Sequence, residues 1–361
     1  MSVESLRRER APISDAAPPE PQRERRMRAR SGAPVSRVLS VAPMMERTDR
    51  HCRYFLRLVA PNAFLYTEMV TAAALRHGDR DRLLAFDPSE HPVALQLGGS
   101  DPHELAAAAR AGAAAGYDEI DLNVGCPSDR VQAGCFGAAL MREPERVAAC
   151  VAAMREAVDV PVTVKTRLGV DHDDSYEFLC RFVETVARAG CETFIVHARK
   201  AWLKGLSPKQ NRDVPPLDYA RVRRLKRDFP SLEVILNGGL KDEATALAEL
   251  DHVDGVMLGR AAYDDPVLLG RLDAAIFGHE PVPIGDALDR YFEYAEREIA
   301  AGTRLRALTR HLMGAFAGRP GGRHWRRMLS ELPRSEDDRA TLAALRELAW
   351  NLVERNVRYS D

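Results

Sequence analysis

The stretch Tyr117-Asp-Glu-Ile-Asp-Leu-Asn-Val-Gly-Cys-Pro-Ser-Asp-Arg130 decides how the chain around it is read. Tyr117 to Leu122 has the period of a short strand, with Ile120 and Leu122 on one face and Asp121 on the other. Arg130 to Met141 is rich in Gly and Ala and cannot continue that strand. Asn123, Gly125, Cys126 and Pro127 therefore fall where a strand gives way to a loop, and loops on a rigid scaffold are where chemistry is usually placed. Taken alone, the same residues describe a Gly-Pro turn with an inert, half-buried cysteine. The rest of the chain tips the balance.

Outward from this stretch the pattern recurs. Val38 to Pro43 is a short apolar run ending at proline, and Ala63 to Glu68 is another, followed by a helical stretch from Met69 to Leu75. Pro92 to Leu97 ends in Gly98-Gly99, and Asp101-Pro102, an N-cap and first-turn pair, opens an alanine-rich helix to about Ala115. After the central strand come a helix from about Pro144 to Val158, the run Val162 to Thr166, and a helix from about Ser175 to Ala189. Thr193 to His197 precedes a long polar loop and a helix from Tyr219 to Asp228. Glu233 to Asn237 leads into Gly238-Gly239 and a helix from Asp242 to Leu250, and Gly255 to Leu258 leads into Gly259-Arg260.

Short strand-like runs alternating with helices imply βα units and a parallel sheet. About eight of them over about 240 residues match a (β/α)8 TIM barrel. A doubly wound sheet competes, but it would carry a G-x-G-x-x-G fingerprint after its first strand, and Val41-Ala-Pro-Met-Met45 has none. The expected fold is α/β, a TIM barrel over 36–282 followed by a small all-α helical domain over 283–361.

That second domain is expected because β character stops at Pro283. Ile284 to Ala300, Leu305 to Phe316, Trp325 to Leu332 and Asp337 to Arg355 all read as helices. Between Arg304 and Arg327 lie Arg304, Arg306, Arg310, Arg319, Arg323, Arg326 and Arg327 with no acidic residue among them. Such a run is usually a solvated face. This one, uncompensated and carrying His324 and Trp325, points to a phosphate-backbone contact surface.

Residues 1–35 alternate Arg with Pro, Ala and Glu without apolar periodicity and read as a disordered tail, either without a role or weakly attracted to a polyanion. The formal net charge of -1 argues against a globally basic nucleic-acid binder, while leaving local patches open. Six cysteines without a C-x-x-C pair suit free thiols in a reducing cytoplasm rather than a disulfide framework or a zinc site, so no metal is expected. No apolar run approaches the roughly 20 residues of a membrane span, and the polar N-terminus has no secretory h-region.

In a parallel barrel the active site is built at the carboxyl ends of the strands. Those ends carry Pro43-Met44-Met45, Gln96, Asn123 with Cys126, Lys165 with Arg167, His197, Asn237-Gly238-Gly239, and Gly259-Arg260. A lone strand-end His or Lys is more often structural, but several polar groups on one rim make a site. Glycines after the last two strands let backbone N–H groups approach a phosphate, and Arg260 adds fork donors. With Gln96, Lys165 and His197 across the mouth, the arrangement suits flavin mononucleotide (FMN), Gln96 pairing with the isoalloxazine edge and Lys165 lying near the N1/O2 side. Sugar-phosphate enzymes share the phosphate site.

Ala42-Pro-Met-Met45, Thr48-Asp-Arg-His-Cys-Arg-Tyr54, Tyr66-Thr-Glu-Met69, Gln96-Leu-Gly-Gly99 and Leu122-Asn-Val-Gly-Cys-Pro-Ser-Asp-Arg-Val-Gln132 together resemble the tRNA-dihydrouridine synthases. So do Val164-Lys-Thr-Arg-Leu-Gly169, His197-Ala-Arg-Lys200, Gly205-Leu-Ser-Pro-Lys-Gln-Asn-Arg212 and Asn237-Gly-Gly239. The resemblance runs from about Ser36 to the C-terminus. The Gln-Asn-Arg loop and Gly322-Arg-His-Trp-Arg-Arg327 are similar to the bacterial A-type branch, which modifies D-loop uridines 20 and 20a.

The resemblance implies bound FMN, NADPH as reductant and tRNA as substrate. It places the catalytic cysteine on Cys126 and the flavin contacts on Pro43, Met44, Met45, Gln96, Lys165, His197, Asn237, Gly238, Gly239, Gly259 and Arg260. The tRNA contacts fall on Asn123, Lys209, Arg212, Arg323 and Arg326. Cys135 departs from the pattern, standing where a basic residue is expected. The chain is expected to act as a cytoplasmic monomer.

The implied chemistry suits these residues. The C5=C6 bond of uracil is conjugated to the C4 carbonyl, so hydride adds at C6 and a proton donor is needed at C5. An ordinary thiol is mostly protonated at neutral pH and can serve. Reaching a D-loop base means unstacking it into the barrel mouth, which gives an arginine-rich helical domain a body of tRNA to grip. A flavin barrel reducing a free pyrimidine would share the rim but not the arginines, and an RNA-binding protein without chemistry would not need Cys126, Lys165 and His197.

Overall fold

The computed structural model describes residues 36–331 and 337–358, and the tail reading on 1–35 lies outside them. Its centre is a closed parallel barrel of eight strands. These are β1 (Leu39–Val41), β2 (Phe64–Tyr66), β4 (Val93–Gly98), β5 (Glu119–Asn123), β6 (Val162–Arg167), β7 (Thr193–His197), β8 (Glu233–Asn237) and β9 (Gly255–Leu258). Pairing of β1 with both β2 and β9, and of β2 with β4, closes the ring. A two-residue strand, β3 (Val70–Thr71), adds to β4 from outside. It takes the start of the segment expected to be helical, and α2 (Ala72–His77) begins only after it, capped by the Thr71 side chain.

The pleat sorts the side chains. Leu95, Ile120 and Leu122 point outward and pack with Leu105 and Ala109 of α4 (Pro102–Ala115) and with Val147 and Val151 of α6 (Pro144–Ala157). Each such buried Leu or Ile contributes about 1.5–3 kcal/mol relative to exposure. The Asp101 cap accepts from Glu104 N–H, and Gly116 at φ 111° ends α4 in the left-handed region that a residue with a Cβ rarely adopts. Alternate residues of the same strands face the barrel interior. There Ala42, Phe64, Tyr66, Ala94, Ile195, Ile235 and Met257 form a small apolar cluster of their own.

Beyond β9, α10 (Arg260–Asp264) and α11 (Pro266–Phe277) complete the outer layer. The helical region holds α12 (Ile284–Ala300), α13 (Leu305–Thr309), α14 (Gly322–Ser330) and α15 (Asp338–Arg358). The helix expected over Leu305 to Phe316 stops at Thr309 and tightens into a 3-10 turn at Arg310–Leu312. Just after it Gly314 lies so close to the Asp264 backbone that a Cβ would sit 2.6 Å from its carbonyl oxygen. Tyr291, Phe292, Phe316 and Trp325 fill the core of this region, and Phe55, Leu58 and Val59 of α1 (Arg50–Val59), a barrel helix, are part of the same core.

The seam is also polar. Asp49 caps α1 by accepting from Cys52 N–H, and its carboxylate also receives Arg310 and His311. Against the pull of burial, the hydrogen bonds from His311, Cys52 N–H and Arg310 hold the Asp49 carboxyl well below the usual range. Trp325, expected to sit among RNA-facing arginines, is instead fully buried, edge-on to Phe316 and donating to the Leu312 carbonyl at 2.7 Å. It lies with Gly322 and Leu329 on the inner stripe of α14, the arginines on the outer.

Candidate active site

Register places the rim residues side by side. Asn123 pairs with Lys165 across β5 and β6, Arg167 with His197 across β6 and β7, and His197 with Asn237 across β7 and β8. Residues far apart in sequence thus stand at one level of the barrel mouth.

The Cys126 loop is held from both sides. Asn123 Oδ1 accepts the N–H groups of Gly125 and Cys126 at 3.2 and 3.0 Å. The Gly125 carbonyl accepts Arg167 Nε at 2.8 Å, and the Cys126 carbonyl accepts Ala138 N–H at 2.9 Å. Arg167 is itself tied to the Asn211 and Lys200 carbonyls, so it joins the Cys126 loop to the loop after β7. The half-buried Cys126 Sγ lies 3.5 Å from Ser128 Oγ.

Lys165 Nζ donates to Asn237 Oδ1 at 3.0 Å, and Asn237 Nδ2 donates to the Met257 carbonyl at 2.7 Å. Burial pushes the Lys165 ammonium down to about 8, with Asp121 opposing. The His197 ring has no hydrogen-bond partner among the described residues. Burial first, then Arg167 and Lys165, push it well below its ordinary pKa, so a neutral imidazole faces the mouth at neutral pH.

Glycines line the end of the rim after the last two barrel strands. Gly238 and Gly239 have φ of 104° and 74°, and a Cβ on Gly238 would lie 2.5 Å from His197 Cδ2. Over Gly259 the space is open, with a Cβ there meeting only Ala42 and the Met44 sulfur at 3.8 Å. Pro43 and Met44 are half-buried, and Met45 is 57% exposed at the end of β1.

Arg260 pairs with Asp213 at 2.6 Å, a partner 47 positions away that no local motif announces. Arg199 Nε is buried without a partner. Arg212 is exposed, makes no ion pair among the described residues, and is pulled down by partial burial and then by Arg260 and Arg47. Arg199, Arg212 and Arg260 thus gather at this edge of the mouth, with Asp213 the acidic partner of Arg260.

Gln96 and Asn123 are less open than the rim reading suggests. Gln96 is 1% exposed, donates to Asp121 Oδ2 at 2.6 Å and accepts from Asn123 Nδ2 at 2.9 Å. Both oxygen lone pairs of Asn123 are occupied by the Cys126 loop, which leaves one N–H for anything else. Lys209 is exposed beside Arg212 in the loop after β7. Arg323 and Arg326 are exposed on α14, and neither makes an ion pair among the described residues. Arg310, counted with them in sequence, is committed to Asp49 instead.

A closed parallel barrel whose mouth gathers a thiol, a buried lysine, a neutral histidine and an arginine-lined glycine cradle is the framework of a TIM-barrel enzyme. A model of the dihydrouridine synthase (Dus) family matches residues 40–349. The chain belongs to that family, whose members are flavin-dependent oxidoreductases. It is 59% identical over 298 residues to a tRNA-dihydrouridine(20/20a) synthase of Escherichia coli, covering 81% of this chain and 85% of the relative. The protein of the same name from Vibrio cholerae is 57% identical over 297 residues, covering 81% and 90%. Among solved structures, a 2-naphthoyl-CoA reductase complex aligns with a TM-score of 0.51 at 10% identity, over 67% of this chain and 50% of that one, a likeness of fold alone.

Proposed function

We propose that this chain reduces the C5=C6 bond of D-loop uridines 20 and 20a in tRNA to dihydrouridine, using FMN reduced by NADPH, and that it does so as a cytoplasmic monomer. The observation that carries the reading is the convergence on one rim of Cys126, Lys165 and His197 with the Gly238-Gly239 turn. The relatives' shared name supplies the substrate.

The residues fit an anionic, planar cofactor. The open space over Gly259 leaves room for a phosphate, Arg199 Nε is a buried donor without a partner, and the unpaired His197 ring lies beside a buried ammonium. Pro43, Met44, Met45, Gln96, Lys165, His197, Asn237, Gly238, Gly239, Gly259 and Arg260 would hold it. When bound, the flavin supplies the hydride for uracil C6.

The chain's own residues do the rest. Lys165, whose ammonium donates to Asn237 Oδ1, stands where negative charge gathers. Neutral His197 offers a hydrogen bond without adding charge. The Cys126 thiol gives its proton to C5 on the face the loop presents. Asn123 has one N–H left to steady the uracil edge. Lys209 and Arg212 flank the path of the extruded nucleotide, and Arg323 and Arg326 grip phosphates of the tRNA body.

The test is a visible spectrum of the purified protein, then anaerobic incubation with NADPH and unmodified tRNA and mapping of dihydrouridine by mass spectrometry. A flavin band with new dihydrouridine in the D-loop is expected. A flavin band with none on any tRNA would shift the reading to a small-molecule reductase. Cys126→Ala is expected to keep the flavin and its reduction by NADPH while losing nearly all uridine reduction, and loss of flavin in that variant would show that the thiol has another role.

A further inference from the structure

Glu119, Asp121 and Asn123 alternate along β5 and all face the barrel interior. They belong to one hydrogen-bonded column. Arg37 Nε donates to Glu119 Oε2 at 2.5 Å at its foot. Thr163 Oγ1 lies 2.8 Å from Glu119 Oε1 and 3.0 Å from Asp121 Oδ1. Asp121 Oδ2 takes Gln96 Nε2, Gln96 Oε1 takes Asn123 Nδ2, and Asn123 Oδ1 takes the main-chain N–H groups of Gly125 and Cys126.

We propose that Asp121 is a positioning residue for the thiol step, setting the orientation of two carboxamides in series and through them the seat of the Cys126 loop. It rests on the reading of Cys126 as the proton donor to uracil. Each link constrains the next. A Gln96 amide turned around would set oxygen against Asp121 Oδ2 and N–H against Asn123 Nδ2. A turned Asn123 would set its N–H groups against those of Gly125 and Cys126. Only the orientation that begins from an acceptor at Asp121 Oδ2 satisfies every buried group.

The column also locates a proton. Thr163 has one hydroxyl hydrogen and two carboxyl oxygens within reach, so one of those contacts needs a proton from the acid. Glu119 already receives the Arg37 guanidinium and the Tyr66 hydroxyl, which assigns that proton to Asp121 Oδ1. Burial, reinforced by Glu119 on the same strand, pushes the Asp121 carboxyl up to about 8, against the Gln96 amide, Lys165 and Thr163. Oδ2 is then the carbonyl oxygen, an acceptor only, facing Gln96.

The experiment follows alkylation of Cys126 by iodoacetamide in the flavin-loaded protein, read by peptide mass, with tRNA turnover in parallel. Asp121→Ala is expected to speed alkylation severalfold and lower kcat about tenfold, with KM for tRNA little changed. Asp121→Asn reproduces both the acceptor toward Gln96 and the donor toward Thr163, and is expected to restore the wild-type alkylation rate and kcat.

Asn123→Asp keeps the acceptor for the loop but opposes Gln96 Oε1, and should loosen the thiol. If Asp121→Ala does not fold, Asp121→Asn and Asn123→Asp carry the test. Asp121→Asn behaving like Asp121→Ala, or Asn123→Asp alkylating no faster than wild type, would overturn the proposal. A wild-type protein that makes no dihydrouridine would sink the functional reading instead, and the alkylation series would still decide the relay.

Discussion

Along one side of the barrel interior Phe64, Ala94, Ile195, Ile235 and Met257 meet as an apolar plug, while along the other Arg37, Glu119, Thr163, Asp121, Gln96 and Asn123 stand as a polar column. The same pleat presents both, and both are nearly sealed from water. The plug needs only volume and tolerates rough substitutes. The column needs every donor matched to an acceptor, so it is costly to interrupt but fixes one arrangement of the mouth above it. The thiol loop is mounted on the column.

The comparison breaks most sharply at its foot. Arg37→Met leaves Glu119 buried without its cation, and chemical unfolding should show a loss of about 3–5 kcal/mol. A loss below about 1 kcal/mol would mean the column is not tied together as described. Ile235→Val in the plug should cost about 0.5–1.5 kcal/mol and leave uridine reduction unchanged.

A third test uses pH. The folded-state pKa of Asp121 is raised, so the stability it contributes is complete below its unfolded value and is lost as pH rises toward about 8. Thermal melts across that window should therefore show Asp121→Asn gaining on wild type as pH rises, while Ile235→Val runs parallel to it. Arg323→Ala with Arg326→Ala should change stability by no more than about 0.5 kcal/mol. It should weaken tRNA binding and flatten its salt dependence by about one slope unit per phosphate lost. An unchanged salt slope would remove α14 from the tRNA surface.

The barrel was legible because its strands are short apolar runs punctuated by Gly and Pro, and because caps such as Asp101-Pro102 mark where helices begin. Strand-end placement of Cys126, Lys165, His197 and Gly238-Gly239 followed from counting along the chain. What lay across the chain was not legible. Asp213 under Arg260 and Asp49 under Arg310 are separated from their partners by 47 and 261 positions, and only the packing of distant loops and helices brings them together.

Asp121 was visible on the strand face opposite Ile120 and Leu122, but nothing local said that this face turns into the barrel or that its partner would be Gln96. Trp325 was misjudged for a different reason. Its flanking arginines dominated the composition, while the spacing of Gly322, Trp325 and Leu329 already described the inner stripe of an amphipathic helix.

Phe55, Leu58 and Val59 of α1 have a consequence for inheritance. Because one barrel helix supplies part of the core beneath the arginine-bearing helices, the C-terminal region is not a detachable cassette. A chimera exchanging everything after Pro283 with a distant relative would set foreign side chains against these three and against the Asp49 carboxylate. What the arginine-bearing face contacts can therefore change through the outer faces of α14 and its neighbours, while the α1 seam descends with the barrel.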